Sequence, residues 1–569
     1  MVKPKIGLTF SGGGYRSATF DLGVLSFLNS VTLEEGGTLL DCVVALSSVS
    51  GGTIPAMRYM LARAERQPVN EMISELYGFL CENDLVSQAL GRMSDEKANP
   101  NVSLIRIMAD IYDEYLFHHN DLGVIMDNFY HIPVKDYTAL ATDFDTALPF
   151  RFRVAEYIRD KRGIRQPFYE FGNAKHRIKI EYSRLITMGE ALACSSCFPS
   201  CFEPMMFPED FKLSEHKNIS EVLSKAVTDE DDNENKNKEK KNKQLHGFGI
   251  MDGGVADNEG IESILNAEER MRNHRAEIKL AQSDGSEADD GGFDDTDKAL
   301  DVVIISDVSS PYIDEGYTPH KQCLWKWLGD QTIGRMRNYG LVLTFILLAC
   351  LALALFKGSS LWTVVTTALL AIVSSLLCGG AWLKKKIHNM IAETFIGDRA
   401  RFISHMKFAT CESLLMNRAM SVVKMSSEVF LKRQRQMNYK RIHGDPEWQN
   451  RRISNLVYEL RAGENWSSDT KMDPALKPKE KIQENSAKAA SMGTTLWFTD
   501  EDKKNGIPRA LFAAGQYTMC YNLLDYIDKI QRQPGNLTAA HNTIIALKPR
   551  LMQEWEAFQN DPLRMAPEK

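Results

Sequence analysis

Residues 43–56 read VVALSSVSGGTIPA: an apolar run, serines at 47, 48 and 50, then two glycines ahead of a second apolar stretch. Val43–Ser47 is a short β-rich run, and Thr53–Ala64 carries apolar residues at helical spacing, so this stretch predicts strand, tight turn, helix. A serine on such a turn is lifted clear of the sheet, and small neighbours relieve the crowding around it. The best match to Gly-x-Ser-x-Gly is Ser48-Val49-Ser50-Gly51-Gly52, which selects Ser50 as candidate nucleophile and Gly51 and Gly52 as the glycines of the elbow. Ser47 and Ser48 have no glycine two positions later and fall at the strand's end. Alone, the frame equally describes an ordinary turn rich in Ser and Gly.

A second strand-to-helix turn lies upstream. Lys5–Phe10 predicts a strand and Tyr15–Val31 a helix, joined through Ser11-Gly12-Gly13-Gly14-Tyr15-Arg16. Consecutive glycines expose backbone N–H groups at a helix N-terminus, where the dipole favours negative charge. Such a loop binds a phosphate or stabilises an oxyanion. The phosphate-binding G-x-x-x-x-G-K-[ST] pattern is not met, and Ser17 stands where G-x-G-x-x-G needs its last glycine. An oxyanion hole from Gly12, Gly13 and Gly14 fits better. The third element is Asp252, in Met251-Asp252-Gly253-Gly254 at the end of the strand run GFGIM. An acid there faces the crevice of an open sheet and can take the proton of Ser50 if desolvation raises its pKa. In isolation it is as well read as a turn aspartate bonded to its own backbone.

These three pieces, in this order, resemble the patatin-like phospholipases, with their G-G-G-x-R/K loop, G-x-S-x-G elbow and D-G-G/A motif. ALATDFDTALPFRF (139–152) is similar to the family's strand with a T-D motif, and GEALACSSCFPSCFEP (189–204) to its A-S-x-A-x-P-x-x-F-x-P stretch. Residues 494–520 faintly resemble the end of larger bacterial members, so the likeness covers 1–310 well and 390–530 poorly. The resemblance implies a three-layer α/β/α fold with a mostly parallel sheet and a Ser50–Asp252 dyad that needs no metal or cofactor. It assigns the oxyanion donors to Gly12, Gly13 and Gly14, with Arg16 steadying that loop or meeting a phosphate. Ser48 is the departure, since the family often has Gly there. A Ser-Asp-His triad would need a histidine in a late turn motif, and none of the 12 histidines sits in one.

A net charge of −7 and a pI near 6.0 give no general electrostatic case for nucleic acid. The Lys- and Glu-rich run 228–244 lacks aromatic residues for base stacking and predicts a flexible solvated loop. The acidic stretch 283–298 matches no calcium-loop spacing and predicts another flexible loop, as does the polar stretch 463–491. The cysteines of ACSSCFPSC (193–201) have no second Cys or His pair at finger-like spacing, so they predict packed free thiols rather than zinc ligands. The N-terminal MVKPKIGLTF has no apolar core or cleavage site of a secretory signal.

Two uncharged stretches, 338–356 and 358–383, are each long enough to cross a hydrocarbon core, which takes ~20 residues. Lys321, Lys326, Arg335 and Arg337 precede the pair and Lys384, Lys385 and Lys386 follow it, so both outer ends are expected in the cytoplasm. The alternative is a helical hairpin buried in a soluble core. The expected organisation is a hydrolase domain over 1–330, a transmembrane hairpin over 338–383, and a helical cytoplasmic region over 384–569 that partly packs back on the hydrolase domain. The functional expectation is a two-pass serine acyl hydrolase of a bacterial inner membrane, with the phospholipid bilayer as anchor and substrate. Its rivals are a non-catalytic membrane scaffold that keeps the fold and a regulated membrane-damaging phospholipase effector.

Overall fold

In the computed structural model, residues 2–94, 102–158, 165–199, 201–213, 227–228, 247–282, 298–309, 330–358, 361–374, 407–463, 474–532 and 538–568 are described. The expected loops at 228–244 and 283–298 fall almost wholly outside them.

Ile6–Phe10 forms strand β1, buried at every position, and Gly14–Ser30 forms helix α1. Val43–Val49 is β2 and Thr53–Ala64 is α2, so the serine-rich stretch does join a strand to a helix. Helices Val69–Glu82, Leu85–Met93, Leu104–Tyr115 and Gly123–Asn128 follow. Next come Asp136–Asp143 (β3), Pro149–Ile158 (β4), Arg165–Gly172 (β5) and Arg177–Ile178 (β6). Met188–Ser196 is α3, Met205–Phe207 is β7, Val227–Thr228 is β8 and Phe248–Asp252 is β9. Gly254–Asp257 (α4), Ile261–Gln282 (α5) and Val302–Asp307 (β10) complete this part of the chain.

The sheet runs β11-β10-β1-β2-β3-β4-β5-β6-β8, where β11 is Arg452–Leu456. From β11 to β3 every pairing is parallel, and from β3 outward every pairing is antiparallel. Only the half with parallel strands shows the expected crossovers; the outer half is a wing of hairpins. Alternating side chains of β10 separate two cores, as the two-residue period of a strand requires. Val302 and Ile304 join Ile6, Leu8 and Phe10 beneath α1 and α2, whereas Val303 and Ile305 join Ala45, Ile261 and Ile264 beneath α5. Helices thus cover both faces of a mixed α/β sheet.

The C-terminal region differs from its expectation. Residues 427–569 belong to the same compact unit as 1–314 and are not purely helical, since β11 extends the sheet beside β10. Phe430–His443 (α6) contributes Ile442 to the second core, and Arg435 bonds Asp307 at the end of β10 through Nε at 2.9 Å. Ile507–Arg532 (α8) packs along α1 at very short range: a Cβ on Gly23 would lie 2.0 Å from the Phe512 carbonyl oxygen, and one on Gly515 2.0 Å from that of Phe20. The stretch expected as loop at 463–491 contains helix α7, Glu480–Ala490. Three of its small and apolar residues, Ile482, Ser486 and Ala489, recur at helical spacing and are buried, and Ser486 Oγ lies 2.8 Å from the Tyr517 hydroxyl on α8. Tertiary packing overrides a polar composition there.

Residues 315–426 form a second unit. Helix Ile333–Phe356 includes Asn338–Phe356, the one helix among the described residues long and apolar enough to cross a membrane. Phe345, Leu353, Leu355 and Phe356 on it are exposed. A shorter apolar helix covers Leu361–Ser374. Residues 375–383, the rest of the expected second span, lie outside the described residues.

Candidate active site

β2 runs parallel to β3 up to Val49, which pairs with Leu140. β9 approaches the same edge of β3 from the opposite direction and ends with Asp252 paired to Ala141. The two strands therefore meet end to end along one edge, and the residues that leave them, Ser50 and Asp252, are neighbours. Ser50 has φ +52°, a left-handed conformation uncommon for a residue with a side chain and frequent at functional turns. Its N–H donates to Ser195 Oγ at 2.9 Å. Gly51 is needed because a Cβ there would lie 2.1 Å from the Gly14 carbonyl oxygen, so the elbow rests directly on the glycine loop. Ser48 points into the sheet, where its hydroxyl lies 3.4 Å from that of Tyr137. Its hydroxyl thus leaves the turn undisturbed.

Asp252 is buried. Oδ1 accepts the Gly254 N–H at 2.7 Å, while Oδ2 has no partner in hydrogen-bond geometry among the described residues. Burial raises the carboxyl pKa to about 6, against the opposing pull of the Ser50 hydroxyl and the Gly254 N–H. The Asp252 main chain is held on both sides: its N–H donates to the Cys197 carbonyl at 3.0 Å, and its carbonyl accepts from Thr142 Oγ1 at 2.8 Å. A dry carboxylate of raised pKa beside a serine is suited to accept a proton near neutral pH.

The glycine loop lies against the elbow, but its N–H groups are not all available as donors. A Cβ on Gly12 would lie 3.2 Å from Ser50 Cβ, so this loop and the elbow are in contact. However, the Gly12 N–H donates to the Asn258 carbonyl at 2.9 Å and is therefore not an oxyanion donor. The N–H groups of Gly13 and Gly14 have no acceptor among the described residues. Of the two parts expected of Arg16, its bonds are those of a residue that steadies the loop. Its guanidinium donates to the Met492 carbonyl at 2.9 Å and Thr494 Oγ1 at 3.3 Å, and the Tyr15 N–H donates to the Thr495 carbonyl at 2.7 Å. Arg16 thus ties the C-terminal segment 492–495 to the loop rather than facing the site.

Sequence reasoning missed Ser195. This buried side chain on α3 accepts the Ser50 N–H, donates to the Leu140 carbonyl at 2.7 Å, and lies 3.0 Å from Thr53 Oγ1. Its carbonyl accepts the Gly253 N–H at 3.2 Å. One residue therefore binds the elbow, β3 and the turn after Asp252. The only signal in the sequence is its place in the stretch 189–204, which resembles a family motif without marking this serine. Cys194 and Cys197 are buried thiols whose pKa burial pushes well up, and among the described residues no group of His, Cys, Asp and Glu is arranged to hold a metal ion. Among the described residues no histidine bonds Ser50 or Asp252; His176 bonds Asp143 Oδ2 at 2.7 Å and stacks on Phe248.

No protein-family model matches this sequence, and no curated protein matches it. Among solved structures, human GIVD cytosolic phospholipase A2 aligns at 21% identity over 30% of this chain, with a TM-score of 0.20. The same enzyme in complex with methyl gamma-linolenyl fluorophosphonate aligns at 19% identity over 30% of this chain, again with a TM-score of 0.20. The alignment spans 23% of those chains, and likeness at that level carries no argument.

Proposed function

We propose that this chain is a patatin-like serine acyl hydrolase that cleaves phospholipid or lysophospholipid esters at a membrane. Ser50 Oγ attacks the ester carbonyl as its proton passes to Asp252, the alcohol leaves with that proton, and water activated by Asp252 releases the acyl group from Ser50. The tetrahedral oxyanion is held by the N–H groups of Gly13 and Gly14 together with that of Gly51, the residue after the nucleophile. One observation carries the reading: buried Asp252, its pKa raised to about 6, ends β9 opposite Ala141, one register beyond the Val49–Leu140 pair at which β2 turns into Ser50, a serine in the left-handed conformation.

The anchor in this reading is a two-pass hairpin over 338–383 with both large segments in the cytoplasm, in a bacterial inner membrane. The exposed apolar helix Asn338–Phe356 and the basic residues flanking the pair support it. Anchoring holds the enzyme at the surface that contains its substrate, which raises effective concentration. A fluorophosphonate probe tests the nucleophile. Wild type should be labelled on Ser50 and Ser50→Ala should not; labelling at another residue, or none on folded wild type, contradicts the assignment.

A further inference from the structure

Beneath the glycine loop lies a buried acid that the proposed chemistry does not use. Asp21, on α1, is fully buried. Its Oδ1 accepts the Ser306 hydroxyl at 2.5 Å, and its Oδ2 lies 2.8 Å from Ser17 Oγ. Ser17 Oγ also bonds the Ser11 carbonyl oxygen. A serine hydroxyl has one proton, and both of these partners are acceptors when Asp21 is ionised. If Ser17 donates to Asp21, two oxygens are left facing each other at Ser11 with no hydrogen between them. All three contacts are satisfied together only when the Asp21 carboxyl supplies a proton of its own to Ser17, which then donates to Ser11.

The far end of this chain is the peptide unit that opens the glycine loop. The Ser11 carbonyl is held by Ser17, and the Gly12 N–H of the same peptide unit is held by the Asn258 carbonyl at 2.9 Å. The Ser11 oxygen also abuts the elbow, since a Cβ on Gly52 would lie 2.7 Å from it. Fixing this peptide at both ends sets the direction in which the next N–H groups, those of Gly13 and Gly14, point.

Resting on the hydrolase reading above for its purpose, we propose that Asp21 is a neutral carboxylic acid and a positioning residue, which orients the glycine loop through the relay Asp21–Ser17–Ser11. Its surroundings agree. Burial pushes its pKa well up against the opposing pull of the Ser306 and Ser17 hydroxyls, and Asp307 at the end of β10 pushes in the same direction as burial. Arg435 is bonded to Asp307 rather than to Asp21. α8, on the other side of α1, approaches with uncharged Phe512 and Gly515.

The test is difference infrared spectroscopy of the purified full chain at pH 7, wild type minus Asp21→Asn, in the protonated-carboxyl region. Asparagine offers the same donor to Ser17 and the same acceptor to Ser306, so the fold should be kept. The expected result is a protonated-carboxyl band present in wild type, absent from Asp21→Asn, and displaced in Ser17→Ala, which removes its acceptor. Fluorophosphonate labelling of Ser50 should slow about tenfold or more in Ser17→Ala but stay within about threefold of wild type in Asp21→Asn. Absence of the band overturns the proposal, as does labelling of Ser17→Ala at the wild-type rate. If wild-type Ser50 is not labelled at all, the hydrolase reading fails and the band still decides the state of Asp21.

Discussion

Ser50 and Asp252 are neighbours because one edge of β3 serves two strands in turn: Val49 occupies the position opposite Leu140, and Asp252 the next, opposite Ala141. Strand ends thus fix the proposed nucleophile and base, which would leave little freedom to be lost in the reaction. The three glycine motifs follow from the same crowding. The elbow rests on the glycine loop, and a Cβ on Gly253 would lie 2.2 Å from the Leu140 carbonyl oxygen.

The raised pKa of Asp252 sets the pH dependence. As the proposed base, Asp252 must be ionised, and burial raises its pKa to about 6. Log kcat/KM for ester hydrolysis should therefore rise with unit slope below about pH 6 and level off above it. A profile that is flat down to pH 4.5 would exclude Asp252 as the base.

The same burial makes Asp252 a liability to the fold. Its native pKa lies above the unfolded value, so the native state binds the proton more tightly. This linkage favours the native state increasingly as pH falls from about 6 to about 4, and works against it above about 6. Asp252→Asn removes that penalty and should raise stability at pH 7.5 by an amount on the order of 2 kcal/mol, while abolishing hydrolysis. Chemical denaturation of both proteins at pH 5 and pH 7.5 measures it; a variant less stable than wild type at pH 7.5 would contradict the account.

Ser195 should matter to both stability and rate. Replacing it with Ala leaves the Ser50 N–H and the Leu140 carbonyl buried without a partner, at a cost of about 1–3 kcal/mol. Because one of those groups belongs to the elbow, kcat should fall about tenfold or more with KM little changed. Thermal melts and steady-state kinetics on Ser195→Ala check both, and a destabilised variant with wild-type kcat would limit Ser195 to a structural part.

Membrane association should depend on the apolar stretch and not on surface charge. The chain should pellet with membranes, resist extraction by high salt or carbonate, and be released by detergent. With both large segments in the cytoplasm, as proposed, the sequons at Asn101, Asn218, Asn465 and Asn536 should remain unglycosylated in a eukaryotic host. Glycosylation at any of them would reverse the topology.

The parts legible in the sequence were those encoded locally. Strand, glycine turn and helix follow each other within about 15 residues at Ser11–Arg16 and at Ser50, and the spacing of apolar residues marks them. What was not legible depends on distant partners. Arg16 matches the family pattern by position, yet its bonds run to Met492 and Thr494, far along the chain. Gly12 has the right place for a donor, but its N–H is taken by Asn258. β11 is a short half-buried strand whose identity comes from pairing with β10, and α7 becomes a helix because Ile482, Ser486 and Ala489 find α8. Ser195 carries no signal of its own, since a serine's hydrogen bonds are set by what the fold brings to it.

Everything proposed for this site depends on Ser50 being the nucleophile of a lipid ester hydrolase. The most direct test incubates wild type and Ser50→Ala with mixed phospholipid vesicles and reads the products by mass. The account predicts free fatty acid and the matching lysophospholipid from wild type and neither from a folded, membrane-inserted Ser50→Ala. Equal product from both proteins, or none from either, would contradict it.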